Sequence, residues 1–121
     1  RRPAPRFAVS SFNHDVLRHL RRRNTEIELW PLTVGATDES LGAAVDLGSR
    51  YLAIHEEFVN EDIVTYLRSR GLAAWVWTVN DPQRAAVLSA LGVAGICADD
   101  PDRLLRAGLA SSPVPEGLTP P

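Results

Sequence analysis

The stretch that most constrains the fold is residues 71–105, GLAAWVWTVNDPQRAAVLSALGVAGICADDPDRLL. Residues 72–79 form an apolar, β-rich run that is too continuous for a half-solvated strand, so they predict a strand buried on both faces. Asn80-Asp81-Pro82 then ends the strand and begins a helix, because Asp81 can cap free backbone N–H groups and Pro82 suits the first helical position.

The same order of signals recurs directly afterwards. The helix that begins at Pro82 is predicted to end at Gly92, which supplies a left-handed stop, and residues 93–97 predict a second short buried strand. Asp99-Asp100-Pro101 ends that strand and begins a helix that carries Leu104 and Leu105. Strand, capped helix, strand, capped helix is typical of parallel α/β structure.

The earlier part of the chain continues this alternation. Strands are predicted at residues 7–12, 27–34 and 51–55, and helices from Asn13 or Asp15 to about Arg23, at 40–47 and at 60–70. Pro31 predicts a distortion or an irregular end in its strand. The predicted α/β domain thus covers residues 7–109, with residues 1–6 as an N-terminal connector and the Pro-rich residues 110–121 as a disordered tail or linker.

Composition narrows the classes of partner. The formal net charge of −2 argues against a nucleic-acid interface, which needs a basic face. No stretch is long and apolar enough to predict a membrane span. The single cysteine, Cys97, has no internal disulfide partner, and its place in a predicted buried strand indicates an inert core thiol.

Several of these blocks together resemble a known family. Trp77-Thr78-Val79-Asn80, then Gly92-Val93-Ala94-Gly95-Ile96, then Asp99 with Pro101-Asp102, resemble the C-terminal signature of the glycerophosphodiester phosphodiesterases. Upstream, Ser10-Ser11-Phe12-Asn13-His14-Asp15-Val16-Leu17 is similar to the Ser-Phe strand end and following helix of that family. The resemblance covers about residues 7 to 107, with the blocks in the right order and spacing.

The resemblance implies about five β/α units from the C-terminal part of a TIM-type barrel, incomplete alone because such a barrel closes with eight strands. In that family the catalytic and metal motifs, His-Arg-Gly, Glu-x-Asp, His-Asp and Glu-x-Lys, belong to the part of the barrel that precedes the position of Arg1, so the resemblance implies that this half does not carry them. The expectation is that the complete enzyme uses a divalent metal, calcium or magnesium, whereas this half alone binds none and contains no catalytic residue. The expected partner is the missing N-terminal half or a second copy of the chain.

Candidate site residues lie where predicted strands end, because the functional groups of such barrels sit at the C-terminal ends of the strands. By resemblance, Phe12 and Trp77 line the substrate pocket where a glycerol or alcohol moiety rests; the alternative is that both belong to the barrel core. Asn80 and Asp99 reach the substrate or support the residues that do, and the alternative is helix capping and turn formation. Trp75 is predicted to lie deeper, in the core.

The histidines give weaker signals. His55 and Glu57 alternate on one strand face, but two ligands make a weak metal site, so a solvent-exposed or supporting role is favoured. His14 and His19 are five residues apart on a helix, too far round to share a ligand, and both are predicted to lie on the surface.

The resulting prediction is a half of a metal-dependent glycerophosphodiester phosphodiesterase that supplies pocket walls rather than catalytic groups. The complete enzyme would convert a glycerophosphodiester and water to glycerol 3-phosphate and an alcohol. The alternative is a non-catalytic half-barrel whose open sheet edges pair with another chain, as an oligomerising or scaffold module.

Overall fold

The computed structural model describes residues 8–108. The predicted connector at residues 1–6, Phe7, and the predicted tail lie outside this range. The strands are β1 (Ala8–Ser11), β2 (Glu28–Thr33), β3 (Tyr51–His55), β4 (Ala73–Trp77) and β5 (Gly95–Ile96). The helices are α1 (His14–Arg23), α2 (Asp38–Leu47), α3 (Glu61–Ser69), α4 (Pro82–Leu91) and α5 (Pro101–Arg106), with a 3₁₀ turn at Glu56–Phe58.

The five strands form one parallel sheet in the order β1-β2-β3-β4-β5. Each helix follows a strand, which confirms the predicted α/β alternation. Within the described residues, β1 and β5 each have a neighbour on one side only. None of the described helices is long and apolar enough to cross a membrane.

Except at the start of α2, the helices begin and end within a residue or two of the positions that the local signals predicted. Asn13 caps α1, Asn60 caps α3, and Asp81 caps α4, each with its side-chain oxygen accepting a backbone N–H of the first turn. Gly92 ends α4 in the left-handed conformation, with φ of 90°. Helix α2 starts two residues before its predicted position because Thr37 and Ser40 form a reciprocal capping box, which places the first turn at Asp38.

Strand β2 changes its partner part-way along. It pairs with β1 from Glu28 to Pro31, and with β3 only at Leu32 and Thr33. Pro31 stands at the changeover, fully buried, and has no N–H to offer a neighbouring strand. The irregularity expected at this proline is thus a change of partner inside the strand.

Two predicted strands are shorter than expected. Strand β4 begins only at Ala73 because the N–H of Leu72 donates to the carbonyl of Leu67 and completes the end of α3. Strand β5 covers Gly95–Ile96 alone, although Ala94 and Cys97 also donate to β4 carbonyls. It is half-buried rather than fully buried, since no further strand of the described chain covers its other edge.

The sheet has a different core on each face. The helix-covered face packs apolar side chains such as Leu52, Ile54 and Val76 against the helices. The opposite face, called here the inner face, carries an aromatic cluster of Trp30, Tyr51 and Trp75, each at most 7% exposed. The indoles of Trp30 and Trp75 are stacked with ring centroids 4.9 Å apart.

Candidate functional site

Four rings meet at the C-terminal ends of the strands and form what we call the aromatic wall: Phe12, His55, Phe58 and Trp77. His55 and Trp77 are register partners in the parallel pairing of β3 with β4, so their side chains project from the same face of the sheet. Phe12 follows β1, and Phe58 lies in the 3₁₀ turn after β3. Chain segments from three strands therefore converge on one place.

The rings of the wall contact one another edge to face. Phe12 and Trp77 have centroids 5.6 Å apart at an interplanar angle of 87°, and His55 and Trp77 have centroids 4.8 Å apart at 90°. His55 and Phe58 are 6.3 Å apart. Edge-to-face packing is a favoured arrangement for such rings, so these contacts stabilise their relative orientation.

The wall faces outward as well as inward. Phe12 is 56% exposed and Phe58 is 46% exposed, whereas Trp77 is half-buried and packs against the inner-face cluster. Phe12 is therefore not a core residue in this structure. Trp75, one pleat deeper on the same face, is 3% exposed, which confirms its predicted core position.

Asn80 and Asp99 are brought together by the ends of β4 and β5. The Asn80 side-chain amide donates to the Asp99 carboxylate at 3.1 Å, and the Asp99 backbone N–H donates to Asn80 Oδ1 at 2.8 Å. Capping falls to their neighbours instead: Asp81 caps α4 and Asp100 caps α5. The pair thus fixes the relative position of two strand ends beside the aromatic wall.

The charged side chains at this end of the sheet are mostly acidic. Exposed carboxylates follow three of the strands, at Glu57, Asp81, Asp99 and Asp100. The guanidinium of Arg84 is already engaged, donating to the Glu56 carboxylate at 3.0 Å and to the carbonyls of Glu56 and Val59. It joins α4 to the turn that carries Phe58 and is committed to that structural role.

His14 corrects the expectation of a surface histidine. It is 7% exposed, its Nδ1 lies 2.8 Å from a carboxylate oxygen of Glu39, and its Nε2 lies 2.9 Å from the carbonyl of Leu32. The burial comes from β2 and α2, which fold over the first turn of α1. His19 is exposed, as predicted.

Cys97 corrects the expectation of a buried thiol. It lies just beyond β5 and is exposed, because the strand there has a neighbour on one side only among the described residues. Desolvation by the atoms around it raises the pKa of the thiol above its ordinary value. The group is therefore a neutral thiol near pH 7 rather than a reactive thiolate.

The geometry does not support a metal site formed by His55 and Glu57. Nδ1 of His55 accepts the backbone N–H of Glu57 at 3.1 Å, which occupies that nitrogen. In residues 8–108, no three or more His, Cys, Asp or Glu side chains are grouped so that they could hold one metal ion.

Two contacts at this end of the sheet were not predicted from the sequence. Phe58 follows Glu56-Glu57 in a segment with no strand or helix periodicity, so nothing in the sequence indicated that its ring returns to His55. The link from Arg84 to Glu56 joins residues 28 positions apart. An arginine in the first turn of the predicted helix α4 was the available signal, but many arginines in such positions are solvated.

Comparisons with known proteins agree with one another. The family model for the Glycerophosphoryl diester phosphodiesterase family matches residues 2–103. The Bacillus subtilis (strain 168) relative YhdW, which carries a glycerophosphodiester phosphodiesterase name, is 35% identical over 60 residues, which is 50% of this chain and 25% of the relative.

Solved structures show the same fold. A phosphodiesterase from Oleispira antarctica, in complex with the product sn-glycerol-3-phosphate, matches with a TM-score of 0.74 and 23% identity over 81% of this chain. A glycerophosphodiester phosphodiesterase from Parabacteroides distasonis matches with a TM-score of 0.71 and 24% identity over 90%. The chain covers 40% and 46% of these two structures, which confirms the predicted fold, part of a TIM-type barrel.

Proposed function

Because the chain belongs to the glycerophosphoryl diester phosphodiesterase family, we propose that it is the C-terminal half of a barrel that hydrolyses a glycerophosphodiester to glycerol 3-phosphate and an alcohol. The observation that carries the proposal is the aromatic wall at the C-terminal ends of parallel strands, where enzymes of this architecture bind their substrates. The match to a structure that holds sn-glycerol-3-phosphate supports the same assignment.

The proposed work of this half is to bind and orient. Phe12 and Trp77 present ring faces and edges that pack against the carbons of a glycerol or alcohol group and keep water away from them. Asn80 and Asp99 are the polar groups beside that wall, and their mutual hydrogen bonds hold the neighbouring strand ends in place. Pre-set walls of this kind contribute to rate by limiting the substrate to productive orientations.

The chemical step is assigned to the other half. The described residues do not fit a divalent metal site, since no three of their His, Cys, Asp or Glu side chains are grouped so that they could share one ion. We therefore place any calcium or magnesium ion of the complete enzyme on the half that carries the His-Arg-Gly and Glu-x-Asp motifs. No step of hydrolysis is attributed to residues of this chain.

The test is reconstitution with an N-terminal half that carries those motifs. The 121-residue chain alone should release no glycerol 3-phosphate from a glycerophosphodiester, whereas the mixture of halves, or a single polypeptide that joins them, should release it. Activity of the isolated chain would contradict the division of labour. An inactive but folded complete barrel would contradict the proposed reaction.

The open edges of the sheet favour a second candidate, a half-barrel that pairs with a second copy as an assembly module. Strands β1 and β5 each present unpaired backbone groups on one side within the described residues. Size-exclusion chromatography with light scattering separates the two candidates. A stable dimer that stays intact when the N-terminal half is added would favour the module, and exchange into a heterodimer would favour the enzyme.

A further inference from the structure

We propose that His55 is a substrate-contacting residue, whose Nε2–H donates a hydrogen bond to a hydroxyl oxygen of the glycerol moiety. This inference rests on the proposed function, since it places the glycerol group against the aromatic wall. It concerns a residue outside the sequence blocks that resemble the family signature.

The position of His55 is the first reason. It is the last residue of β3 and the register partner of Trp77, so it projects from the same face at the C-terminal end of the sheet. Its ring stands at 90° to the Trp77 indole with centroids 4.8 Å apart, and its centroid lies 6.3 Å from that of Phe58 at an interplanar angle of 63°. The imidazole is thus in contact with two rings of the wall.

The hydrogen bond to Nδ1 fixes what the ring can offer. Nδ1 accepts the Glu57 backbone N–H at 3.1 Å, so in the neutral imidazole the proton lies on Nε2. Among residues 8–108, no group hydrogen-bonds to Nε2 of His55. The buried side-chain atoms that lack a partner there are the indole nitrogens of Trp75 and Trp77, so Nε2 remains in contact with solvent. The ring therefore presents one oriented, available donor.

The surroundings select the kind of acceptor. The neighbouring rings suit carbon atoms, so the group beside His55 is an alkyl chain that carries an oxygen rather than a bare anion. The carboxylate of Glu57 is exposed next to it, and the guanidinium of Arg84 is committed to Glu56 and two carbonyls. A hydroxyl oxygen, which carries no charge, fits the Nε2–H donor beside this negative charge better than a phosphate oxygen does.

The test measures ligand affinity of the complete enzyme, assembled from both halves. The three ligands are sn-glycerol 3-phosphate, 3-hydroxypropyl phosphate, which lacks the secondary hydroxyl, and 2-hydroxypropyl phosphate, which lacks the terminal one. Each is titrated against the unchanged enzyme and against His55→Asn, with tryptophan fluorescence as the readout. Asparagine can still accept the Glu57 N–H, as in a helix cap, but it does not reproduce the reach of Nε2.

We expect His55→Asn to weaken binding of sn-glycerol 3-phosphate about 10-fold, which is the usual scale for one hydrogen bond. For one of the two analogues the same substitution should change the affinity less than about twofold, because that analogue lacks the hydroxyl that His55 contacts. His19→Asn, the same change at an exposed histidine of α1, should leave all three affinities unchanged.

Equal losses for all three ligands would overturn the hydroxyl contact, because they would mean that His55 binds the phosphate or only supports the wall. No loss for any ligand, or no binding by the unchanged enzyme, would overturn it as well. Hydrolysis of a glycerophosphodiester is measured separately on the same preparations. An enzyme that turns over but shows no selective loss contradicts this inference and leaves the proposed function intact.

Discussion

Gly95 of β5 lies directly against the indole of Trp75 on the inner face of the sheet. A Cβ built at residue 95 would be 2.1 Å from Cζ3 of that indole, far inside van der Waals contact. The clash is with a ring that is 3% exposed and stacked on Trp30, so the indole cannot move aside cheaply. Glycine at position 95 therefore allows β5 to pair with β4 in the observed register.

The first prediction concerns this contact. Gly95→Ala should lower the free energy of unfolding by about 1–3 kcal/mol, because the added methyl overpacks a rigid part of the core. Thermal and urea unfolding of the same preparation measure the change. Gly42→Ala is the control, since nothing lies within 4 Å of a Cβ there and alanine favours helix α2. If both variants behaved alike, the clash at residue 95 would not control the stability of the sheet edge.

The second prediction concerns the buried histidine. Glu39→Ala should destabilise the fold by about 0.5–1.5 kcal/mol, because it removes the acceptor beside Nδ1 of His14, which is 7% exposed, while the 63% exposure of the Glu39 side chain lets water replace part of the contact. Glu61→Ala removes a carboxylate from the first turn of α3, where no side chain among residues 8–108 pairs with it, and should cost less. Urea unfolding curves of the two variants give the comparison. If both variants lost the same free energy of unfolding, the contribution of Glu39 would come from its place near a helix N-terminus and not from its contact with His14.

The third prediction concerns the polar pair at the strand ends. Asn80→Ala removes both hydrogen bonds to Asp99 and should speed hydrogen exchange of the Asp99 backbone amide about 10-fold. The amide of Cys97, which donates to the carbonyl of Val76, serves as the internal reference. If hydrogen exchange of both amides became faster to the same extent, the hydrogen bonds between Asn80 and Asp99 would stabilise the whole of β5 and not only the segment that follows it.

The fourth prediction concerns Cys97. Because desolvation raises the pKa of the thiol above its ordinary value, less thiolate is present at a given pH than for an unperturbed cysteine. The rate of alkylation by iodoacetamide should rise with pH and reach half its maximum at a higher pH than in the unfolded chain. Urea-unfolded protein gives the reference profile. A folded-state midpoint at or below the unfolded one would contradict the desolvation of this group.

Local signals in the sequence were sufficient for much of the fold. Asp81 with Pro82 set the start of α4 and Gly92 its end, because capping and left-handed stops depend on neighbours only a few residues away. The span of β3 was also predicted, since Tyr51–His55 is a short apolar run between clear helix signals. Asn80 and Asp99 were likewise predicted to lie at one edge of the sheet, because each follows the end of a predicted parallel strand.

The features that were predicted wrongly or not predicted at all depend on contacts with distant parts of the chain. The burial of His14 requires Glu39, 25 residues away, and the backbone of β2, neither of which leaves a mark near the histidine. The exposure of Cys97 follows from the single-sided pairing of β5, which depends on sheet topology rather than on residue type. Phe58 joined the wall through a short turn whose sequence predicts no direction for its ring.

The stacked indoles of Trp30 and Trp75 have an optical consequence. Their ring planes are inclined by only 22° at a centroid distance of 4.9 Å, so the electronic transitions of the two chromophores couple when the sheet is formed. The circular dichroism of the chain should therefore contain a paired signal of opposite signs that neither tryptophan gives alone. Since β2 and β4 supply the two rings, with β3 between them, this signal reports assembly of the middle of the sheet. Formation of the inner face can therefore be followed by circular dichroism without an added label.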